Sequence, residues 1–392
     1  MTTHLNSEGG VVEAELDSVS QLDERQFALS VRRLADSLTT GGHAVRVFTA
    51  TYPLPEGPDR PEVHRSPSLP LFLYRDVQWA FPRHRELVRE VSAFAPDVVH
   101  VATEFALGVA GLRVARELDL PVVASAHTDY ERYAARYRLD WALRPGWRYL
   151  RWFYSQAERV LCPSLVYEEH LHSRGISRTG IWSRGVDTEH FNPRHRSQAA
   201  RDAIGAAPDQ PVVTYVGRLA REKNLDLLLE AWQVLAPRHP GARLALVGRG
   251  PLEDEIRERA IPGVELCGLV TGADLSAAYA SADIFAFPSV TETFGNVLLE
   301  AMASGLPSVV AAAGGVLDFA AHGRNTWLVA PGSVEAMVKG LERLIADSAL
   351  RRRLSAGALE TAAARRWDAI DDLLLEEYWE VAQRGRRVAR AA

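Results

Sequence analysis

Two glutamates flank a glycine in the segment PSVTETFGNVLLEAMASGLP (288–307). The apolar run before this segment predicts a strand, and the next helix is expected to begin near Phe294 with Thr293 as its cap. Glu292 then lies in the loop, and Glu300 lies about 8 Å along the helix at roughly 1.5 Å per residue. Carboxylates at that spacing can accept hydrogen bonds from the hydroxyl groups of one ligand. The alternative is that Glu292 is an ordinary N-terminal glutamate and that Glu300 is solvated or ion-paired.

The start of the same helix is a candidate anion site. The first N–H groups of a helix have no partners within it and lie at the positive end of its dipole. A phosphate group can therefore bind there. The backbone amides that the sequence places in this turn belong to Phe294, Gly295, Asn296 and Val297.

Two cations follow another predicted strand, at 211–217. The segment VGRLAREKN (216–224) leaves that strand through Gly217 and presents Arg218 and Lys223, which can hold a diphosphate from two sides. Of the 45 basic residues only two are lysines, so arginine by itself carries little information and Lys223 carries more. We interpret the two side chains as ligand-binding groups, the alternative being two solvated surface cations.

Three further sequences place glycine or histidine just after predicted strands. Taken singly, each glycine turn is as compatible with a structural role as with a functional one, and a lone histidine more often has a structural role. In open parallel sheets, however, ligands bind outside the carboxyl ends of the strands, where all three fall. The residues are Gly248 and Gly250 in VGRGPLEDE, Gly314 and Gly315 in AAAGGVLD, and His127 in ASAHTDYERY.

The elements that must position these residues are short apolar runs rich in β-branched residues. Such runs are typical of strands buried on both faces, and stretches of helical period separate them. This alternation predicts an α/β protein with parallel sheets covered by helices. The runs are 97–102, 120–127, 158–164, 211–217, 242–248, 264–268, 283–289 and 306–312.

The number of these runs is too large for one open sheet. We therefore predict two doubly wound, Rossmann-like domains that face each other across a cleft, covering residues 1–190 and 200–365. The polar stretch 187–211 is interpreted as the linker. The last helical stretch, within 366–392, is expected to pack back toward the first domain.

Composition excludes several classes of function. The 392 residues are 47% hydrophobic and 24% charged, as in ordinary soluble globular proteins. A net charge of -5 gives no cationic field for nucleic acid. Two cysteines, Cys162 and Cys267, rule out a disulfide scaffold and a cysteine-rich metal centre. With no apolar stretch of spanning length and no secretory signal, a cytoplasmic protein is expected.

The motifs taken together resemble the retaining, nucleotide-sugar-dependent glycosyltransferases of family four, which have the GT-B fold. The resemblance rests on VGRLAREKN, VGRGP, ETFGNVLLE with its two spaced glutamates, EAMASGLP, AGG, RGVD and the strand that ends at His127. It covers about residues 95–345. HTDYERYAARYRL and RGVDTEHFNP are most similar to the bacterial GDP-mannose-dependent mannosyltransferases and the sulfoquinovosyltransferases.

The resemblance implies a role for each site residue. Arg218 and Lys223 would bind the donor diphosphate, Glu292 a sugar hydroxyl and Glu300 the ribose hydroxyls. The amides at 294–297 would contact phosphate and sugar, and His127 would lie beneath the transferred sugar. The resemblance also implies that no metal and no cofactor is needed, because the cations and the helix dipole offset the charge of the leaving group.

The first forty residues depart from the family pattern. Family members open with an apolar strand and a glycine-containing loop that touches phosphate and acceptor. Here the strand candidate VVEAEL (11–16) alternates apolar and acidic residues, and the loop 17–27 contains no glycine. Gly9 and Gly10 are expected to precede the strand. This loop places the acceptor side, and transfer itself, in question.

The stretch 131–156 is rich in arginine and aromatic residues. A basic, aromatic helix suits an anionic membrane surface, so peripheral contact with the inner membrane face is one expectation. The alternative is that the aromatic rings are buried against the first sheet and the arginines are solvated. In that case the acceptor would be a small soluble sugar or aminocyclitol rather than a glycolipid.

The sequence thus predicts a retaining hexosyltransferase that moves a sugar from a nucleotide diphosphate donor to a hydroxyl acceptor. GDP-mannose is the first expectation for the donor and a UDP-sugar the second. Two alternatives stay open: a GT-B nucleotide-sugar epimerase, which needs no acceptor, and a non-catalytic protein that binds nucleotide sugars.

Overall fold

The computed structural model describes residues 10–14, 23–51, 63–71, 74–127, 131, 141 and 143–391. The chain divides into two compact units. The first comprises Met1–Ser183 together with Asp371–Ala392, and the second comprises Arg184–Ile370. Residues 184–190, which the sequence assigned to the first domain, therefore belong to the second unit.

The first unit is built on a seven-stranded sheet in which every strand pairs parallel to its neighbours, in the order β3-β2-β1-β6-β7-β8-β9. Strands β4 and β5 form a separate antiparallel pair. The strands are β1 (Gly10–Ala14), β2 (Ala44–Ala50), β3 (Val63–Ser66), β4 (Ser68–Leu71), β5 (Tyr74–Ala80), β6 (Val98–Val101), β7 (Val122–Ser125), β8 (Arg159–Cys162) and β9 (Thr179–Ile181).

Helices connect these strands, as parallel pairing requires. They are α1 (Asp23–Thr40), α2 (His84–Phe94), α3 (Ala106–Glu117), α4 (Leu143–Tyr154) and α5 (Leu165–Ser173). One face of the sheet and the apolar sides of α2 to α5 form a continuous core that contains Val99, Val101, Ala124 and Phe153.

The second unit has a six-stranded parallel sheet in the order β12-β11-β10-β13-β14-β15. Chain order reverses between β10 and β13, which is the doubly wound arrangement that places ligands at this switch point. The strands are β10 (Val212–Val216), β11 (Arg243–Val247), β12 (Val264–Gly268), β13 (Ile284–Phe287), β14 (Ser308–Ala311) and β15 (Trp327–Val329).

Helices lie on both faces of this second sheet. Alternate residues of one strand enter two different cores: Val213 and Tyr215 of β10 face one, and Val212 and Val216 face the other. The helices are α6 (Gln198–Asp202), α7 (Leu225–Leu235), α8 (Glu253–Arg259), α9 (Gly272–Ser281), α10 (Asn296–Ala303), α11 (Val334–Ala346) and α12 (Ser348–Ala363). The last helix, α13 (Trp367–Ala391), begins at the end of this unit and belongs to the first unit from Asp371 onward.

Every apolar run singled out in the sequence contains one of these strands, which confirms the predicted α/β class with parallel sheets. The strands could be recognised as continuous apolar runs because a strand buried on both faces lacks the alternation of apolar and polar residues that a half-exposed strand shows.

The stretch interpreted as a linker, 187–211, is packed into the second unit. Its helix α6 carries Arg201, which is buried and donates hydrogen bonds to the Ser281 carbonyl at 2.8 Å and to Asp283 Oδ2 at 3.1 Å. The polar composition that suggested a linker is therefore the composition of a segment whose charged groups bond to the domain beneath it.

Two expectations about the N-terminal region change. Gly10 does not precede the first strand but begins it, pairing with Ala44 of β2. Helix α1 begins at Asp23, so Arg25 and Gln26 are helical rather than part of the glycine-free loop. Residues 17–22 of that loop lie outside the described residues. Among the described helices, none combines the length and apolar character needed to span a bilayer.

Candidate functional site

Four loops of the second unit meet at the carboxyl edge of its sheet. They follow β10, β11, β13 and β14, which are neighbours in the sheet. The loops after β10 and β13 stand on either side of the switch point, and they carry Arg218, Lys223 and Glu292. The predicted phosphate-binding and sugar-binding residues of this unit are therefore brought to the place where doubly wound sheets bind ligands.

Hydrogen bonds tie these loops into one surface. Gly217 N donates to the Val247 carbonyl at 2.9 Å, and Leu219 N donates to the Arg249 carbonyl at 3.0 Å. Between the loops after β13 and β10, the Thr291 hydroxyl donates to the Glu222 carbonyl at 3.0 Å. The loops hold one another in place, so the side chains on them have a fixed spacing.

Lys223 and Glu292 form an ion pair at the centre of this surface. Lys223 Nζ lies 2.9 Å from Glu292 Oε1, and the two side chains are 15% and 13% exposed. The hydroxyl of the buried Ser289 donates to the same carboxylate oxygen at 2.7 Å. Lys223 is therefore not a solvated surface cation. The sequence had assigned its charge to phosphate and that of Glu292 to sugar, and here each charge faces the other.

Arg218 also faces a carboxylate. Its Nη1 lies 3.3 Å from Glu222 Oε1, in a pair that is partly exposed. The Tyr215 hydroxyl donates to the Arg218 carbonyl at 3.0 Å, which fixes the backbone at the turn. Because a more exposed pair is screened more by solvent, the Arg218–Glu222 pair separates more easily than the Lys223–Glu292 pair.

Helix α10 begins later than the sequence predicts. Its first residue is Asn296, and Gly295 precedes it with φ 101°, in the left-handed region that favours glycine. Thr293 does not cap the helix, and Phe294 is buried against Phe319 with ring centroids 5.1 Å apart. The expected start and cap were wrong because the chain needs the sharp turn at Gly295 before it can continue as a helix.

The later start changes which amides belong to the helix. Asn296 and Val297 supply first-turn N–H groups, while Phe294 and Gly295 lie in the preceding turn. A Cβ atom at position 295 would lie 2.5 Å from Val316 Cγ1, so this turn is packed against the loop after β14. The candidate anion site thus consists of a glycine turn followed by a helix N-terminus.

Glu300 lies on α10 and accepts a hydrogen bond from the Tyr279 hydroxyl at 2.8 Å. Burial raises the pKa of Glu300 to about 7, and the bond from Tyr279 opposes part of that rise. The pKa of Tyr279 is well above its usual range because of burial and the neighbouring carboxylate. Glu300 is therefore a carboxyl group that exchanges its proton near neutral pH.

The glycine pairs after β11 and β14 have a packing role. A Cβ atom on Gly248 or Gly250 would overlap the backbone of the loop after β10, at Gly217 and Leu219 respectively. Gly314 and Gly315 approach the backbone of Glu292 and Thr293 in the same way. These residues allow the four loops to approach closely.

His127 follows β7 in the first unit. Its imidazole meets the indole of Trp182 edge-on, with centroids 5.2 Å apart. Trp182 follows β9 and is buried. The histidine is therefore held by aromatic packing at the carboxyl edge of the first sheet.

Three site neighbours were missed by sequence reasoning. Ser289 lies three residues before Glu292, so its bond could have been suspected from the loop sequence. Glu222 lies four residues after Arg218, a spacing that favours an ion pair in a helical turn. Tyr279 gave no local signal, because it lies on another helix from Glu300. Within the described ranges, no group of three or more His, Cys, Asp or Glu side chains could hold a metal ion.

The doubly wound units and the loop site define the class of protein. Residues 28–190 match the family described as Glycosyltransferase Family 4, and residues 210–347 match Glycosyl transferases group 1. The chain is 37% identical to a GDP-mannose-dependent alpha-mannosyltransferase of Mycolicibacterium smegmatis, over 93% of this chain and 95% of that protein. It is 34% identical to the sulfoquinovosyl transferase SQD2 of Arabidopsis thaliana, over 87% of this chain and 68% of that protein.

Solved structures show the same architecture. Sucrose-phosphate synthase from Thermosynechococcus elongatus covers 98% of this chain and 100% of its own, with 21% identity and a TM-score of 0.72. Anabaena Alr3699/HepE in complex with UDP covers 95% and 100%, with 20% identity and a TM-score of 0.73. The protein has the GT-B fold. It belongs to the family-4 glycosyltransferases, as its motifs indicated.

Proposed function

We propose that the protein is a retaining hexosyltransferase that needs no metal ion and uses a nucleotide diphosphate sugar, with GDP-mannose as the first candidate donor. The observation that carries the proposal is the Lys223–Glu292 ion pair at the switch point, with Gly295 and the start of α10 in the adjoining loop. One cation, one carboxylate and the N-terminal amides of a helix meet the needs of an anionic, hydroxyl-rich ligand.

The donor would be bound by exchange of partners. Arg218 and Lys223 would turn from Glu222 and Glu292 to the diphosphate oxygens, with which charged hydrogen bonds are stronger than neutral ones. Glu292 would then accept from a sugar hydroxyl, and Glu300 would accept from the ribose hydroxyls. The amides of 294–297 and the turns at Gly217, Gly248 and Gly250 would let the ligand approach the backbone.

Transfer would depend on positioning and electrostatic stabilisation. The two cations and the α10 dipole offset the charge that develops on the leaving diphosphate. A leaving phosphate oxygen would take the proton of the acceptor hydroxyl on the same face of the sugar, so the anomeric configuration is retained. His127 of the first unit would contact the transferred sugar, and no cofactor takes part.

The relatives support the choice of donor and acceptor class. Three of them are named GDP-mannose-dependent alpha-mannosyltransferases. Others are named alpha-monoglucosyldiacylglycerol synthase and D-inositol 3-phosphate glycosyltransferase, so lipid and small polyol acceptors both occur among proteins similar to this one. We propose a hydroxyl acceptor of one of these two kinds, with peripheral membrane contact in the lipid case.

The test begins with donor binding. A ligand that binds the native state raises its apparent stability by RT ln(1 + [L]/Kd), so GDP-mannose, UDP-glucose and the free nucleotides are compared by thermal shift. The selected donor is then incubated with lipid and polyol acceptors, and the product's anomeric proton is read by NMR. An α product from an α donor supports the proposal, and an inverted product contradicts the retaining mechanism.

The alternative functions predict different products. An epimerase would convert the donor to another nucleotide sugar with no acceptor present. A non-catalytic protein would bind the donor without transfer or hydrolysis across the whole acceptor panel. Either result would replace the transferase assignment.

A further inference from the structure

A buried histidine in the first unit connects the C-terminal helix to the strand that precedes His127. His100 lies on β6 and is fully buried. Its Nδ1 lies 2.6 Å from the Tyr378 hydroxyl on α13, and its Nε2 lies 2.5 Å from the hydroxyl of Ser125, the last residue of β7. Both ring nitrogens are thus bonded to hydroxyl groups on different elements.

These bonds lie on the face of the sheet that α13 covers. Val99, Val101 and Ala124 face the core that the sheet forms with α2 to α5, so the alternate residues His100 and Ser125 face the opposite side. A histidine there is unlike its apolar neighbours, and its ring joins Tyr378 to Ser125.

Burial fixes the chemical state of the link. It lowers the pKa of His100 to about 3, so the ring is neutral near neutral pH. A neutral imidazole has one donor and one acceptor nitrogen. One hydroxyl must therefore donate to the ring while the other accepts from it, and the three groups orient one another as a unit.

Trp182 extends the link to His127. Its indole meets the His100 ring edge-on at 5.6 Å and the His127 ring edge-on at 5.2 Å. Ser125, bonded to His100, lies two residues before His127 on the same chain segment. The His127 ring is thus constrained from two directions, through its backbone by Ser125 and through its side chain by Trp182.

We infer that His100 and Tyr378 are positioning residues for His127, so that the C-terminal helix is part of the machinery that places this imidazole. The inference rests on the proposed function, in which His127 contacts the transferred sugar. Small displacements at a reacting centre are costly, since about 1 Å can lower a rate by about 100-fold.

The test uses variants at both ends of the link in the full chain. Tyr378→Phe removes the hydroxyl at Nδ1, and Ser125→Ala removes the one at Nε2. The matched control is Glu377→Gln, which weakens the neighbouring bond of α13 to Arg159, where Arg159 Nε lies 2.5 Å from Glu377 Oε2. The control loosens the same helix without touching His100.

The first readout does not depend on activity. In ¹⁵N-histidine-labelled protein, Tyr378→Phe and Ser125→Ala should shift the ring nitrogens of both His100 and His127, while Glu377→Gln leaves the His127 signals in place. Signals are assigned with His100→Asn and His127→Asn. Unmoved His127 signals in both link variants would overturn the inference.

The second readout is kinetic. Each link variant should lower kcat by about 10-fold with little change in donor KM. The fold-decrease in kcat of the double variant should be smaller than the product of the two single-variant decreases, because both residues act through one ring. Equal losses in Glu377→Gln would show that helix docking alone matters and would overturn the inference. A wild type that transfers no sugar would defeat the proposed function, while the NMR readout would still decide whether His100 positions His127.

Discussion

At the scale of single residues, the proposed donor site contains two cations that are already paired with carboxylates. Lys223 and Glu292 bond at 2.9 Å with little exposure. Such a pair keeps both side chains extended into the site before a ligand arrives. It also means that removing either partner leaves an uncompensated charge in a partly buried place.

We expect Lys223→Ala to weaken nucleotide-sugar binding by about 10-fold to 150-fold, because a hydrogen bond to a charged group contributes about 1.5–3 kcal/mol. The matched control is Lys339→Ala, which removes the other lysine of the chain. Lys339 is exposed on α11 and pairs with Glu335. Calorimetric titration measures the nucleotide-sugar affinity of both variants. Equal donor affinity in the two variants would refute the diphosphate assignment of Lys223.

Glu300 makes the stability of the protein depend on pH. Its pKa is raised from 4.5 to about 7 by burial, so the folded state binds a proton that the unfolded state has released. This contribution to stability is fully present below pH 4.5 and is lost as pH rises through 7. It amounts to about 3 kcal/mol.

Glu300→Gln should therefore reduce the pH dependence of the free energy of unfolding between pH 4.5 and 7. Relative to the wild type, the variant should gain stability above pH 7. Denaturant unfolding across this range measures the slope. Glu335→Gln is the control, because the pKa of Glu335 is lowered by Lys339 and cannot give a slope of this sign. A variant with the wild-type slope would show that Glu300 ionises with its ordinary pKa.

At the scale of elements, glycines let the site loops touch. A Cβ atom on Gly250 would overlap the backbone carbonyl of Leu219, so the loop after β11 can reach the loop after β10 only with no side chain there. The weak glycine-turn signal of the sequence thus had a structural cause. The same glycines still govern the ligand site, because they set the position of Arg218 and Lys223.

Gly250→Ala should lower the free energy of unfolding by at least about 1–3 kcal/mol, the usual cost of overpacking, and should weaken donor binding in the folded fraction. Gly241→Ala is the control, because no heavy atom lies within 4 Å of a Cβ there. Thermal unfolding and titration with nucleotide sugar measure both effects. An unchanged midpoint in Gly250→Ala would contradict the close approach.

Helix α4 has one buried and one exposed side. Trp147, Leu150 and Phe153 are buried, while Tyr149 and Trp152 are 39% and 48% exposed. Three arginines share the exposed part of this helix: Arg144, Arg148 and Arg151. The buried rings agree with the alternative of packing within the first unit, and membrane contact through the exposed side stays a prediction. Residues 132–140 lie outside the described residues.

We expect the protein to co-sediment with anionic liposomes at low salt, because each arginine near such a surface contributes about 1 kcal/mol. Replacing Arg144, Arg148 and Arg151 by glutamine should abolish most of that binding. The control replaces the exposed Arg352 and Arg353 of α12 by glutamine. Binding that resists high salt, or that both variants keep, would exclude an electrostatic contact through α4.

At the scale of the whole molecule, the proposed chemistry is that of fixed charges on a GT-B scaffold. Each unit supplies its residues from the carboxyl edge of a parallel sheet, and the chain belongs to a family of glycosyltransferases. The proposed leaving-group stabilisation uses Arg218, Lys223 and the α10 dipole. These groups are part of the polypeptide and cannot be removed by a chelator.

Treatment with EDTA should therefore leave the initial rate of sugar transfer unchanged, and added magnesium or manganese should not raise it. The rate is measured before and after dialysis against the chelator, with a metal-dependent glycosyltransferase treated in parallel. Loss of transfer that either metal restores would show that the leaving diphosphate needs an ion in addition to the two cations.

The sequence by itself determined the class of fold and which of the candidate residues lie at the carboxyl edge of the second unit's sheet. Strands buried on both faces are continuous apolar runs, so β10 and β13 could be found without a structure, and Arg218, Lys223 and Glu292 follow them directly. The parallel topology then required these residues to share one edge of the sheet. Local spacing was also enough to suggest that Glu300 lies along the helix beyond Gly295.

Only the tertiary structure decided what these residues contact. The start of α10 at Asn296 depends on packing of the Gly295 turn against Val316, and the raised pKa of Glu300 depends on burial beside Tyr279. The bond between His100 and Tyr378 joins residues 278 positions apart. Local sequence patterns report periodicity and turn chemistry over a few residues, whereas burial and long-range contacts depend on how the elements pack.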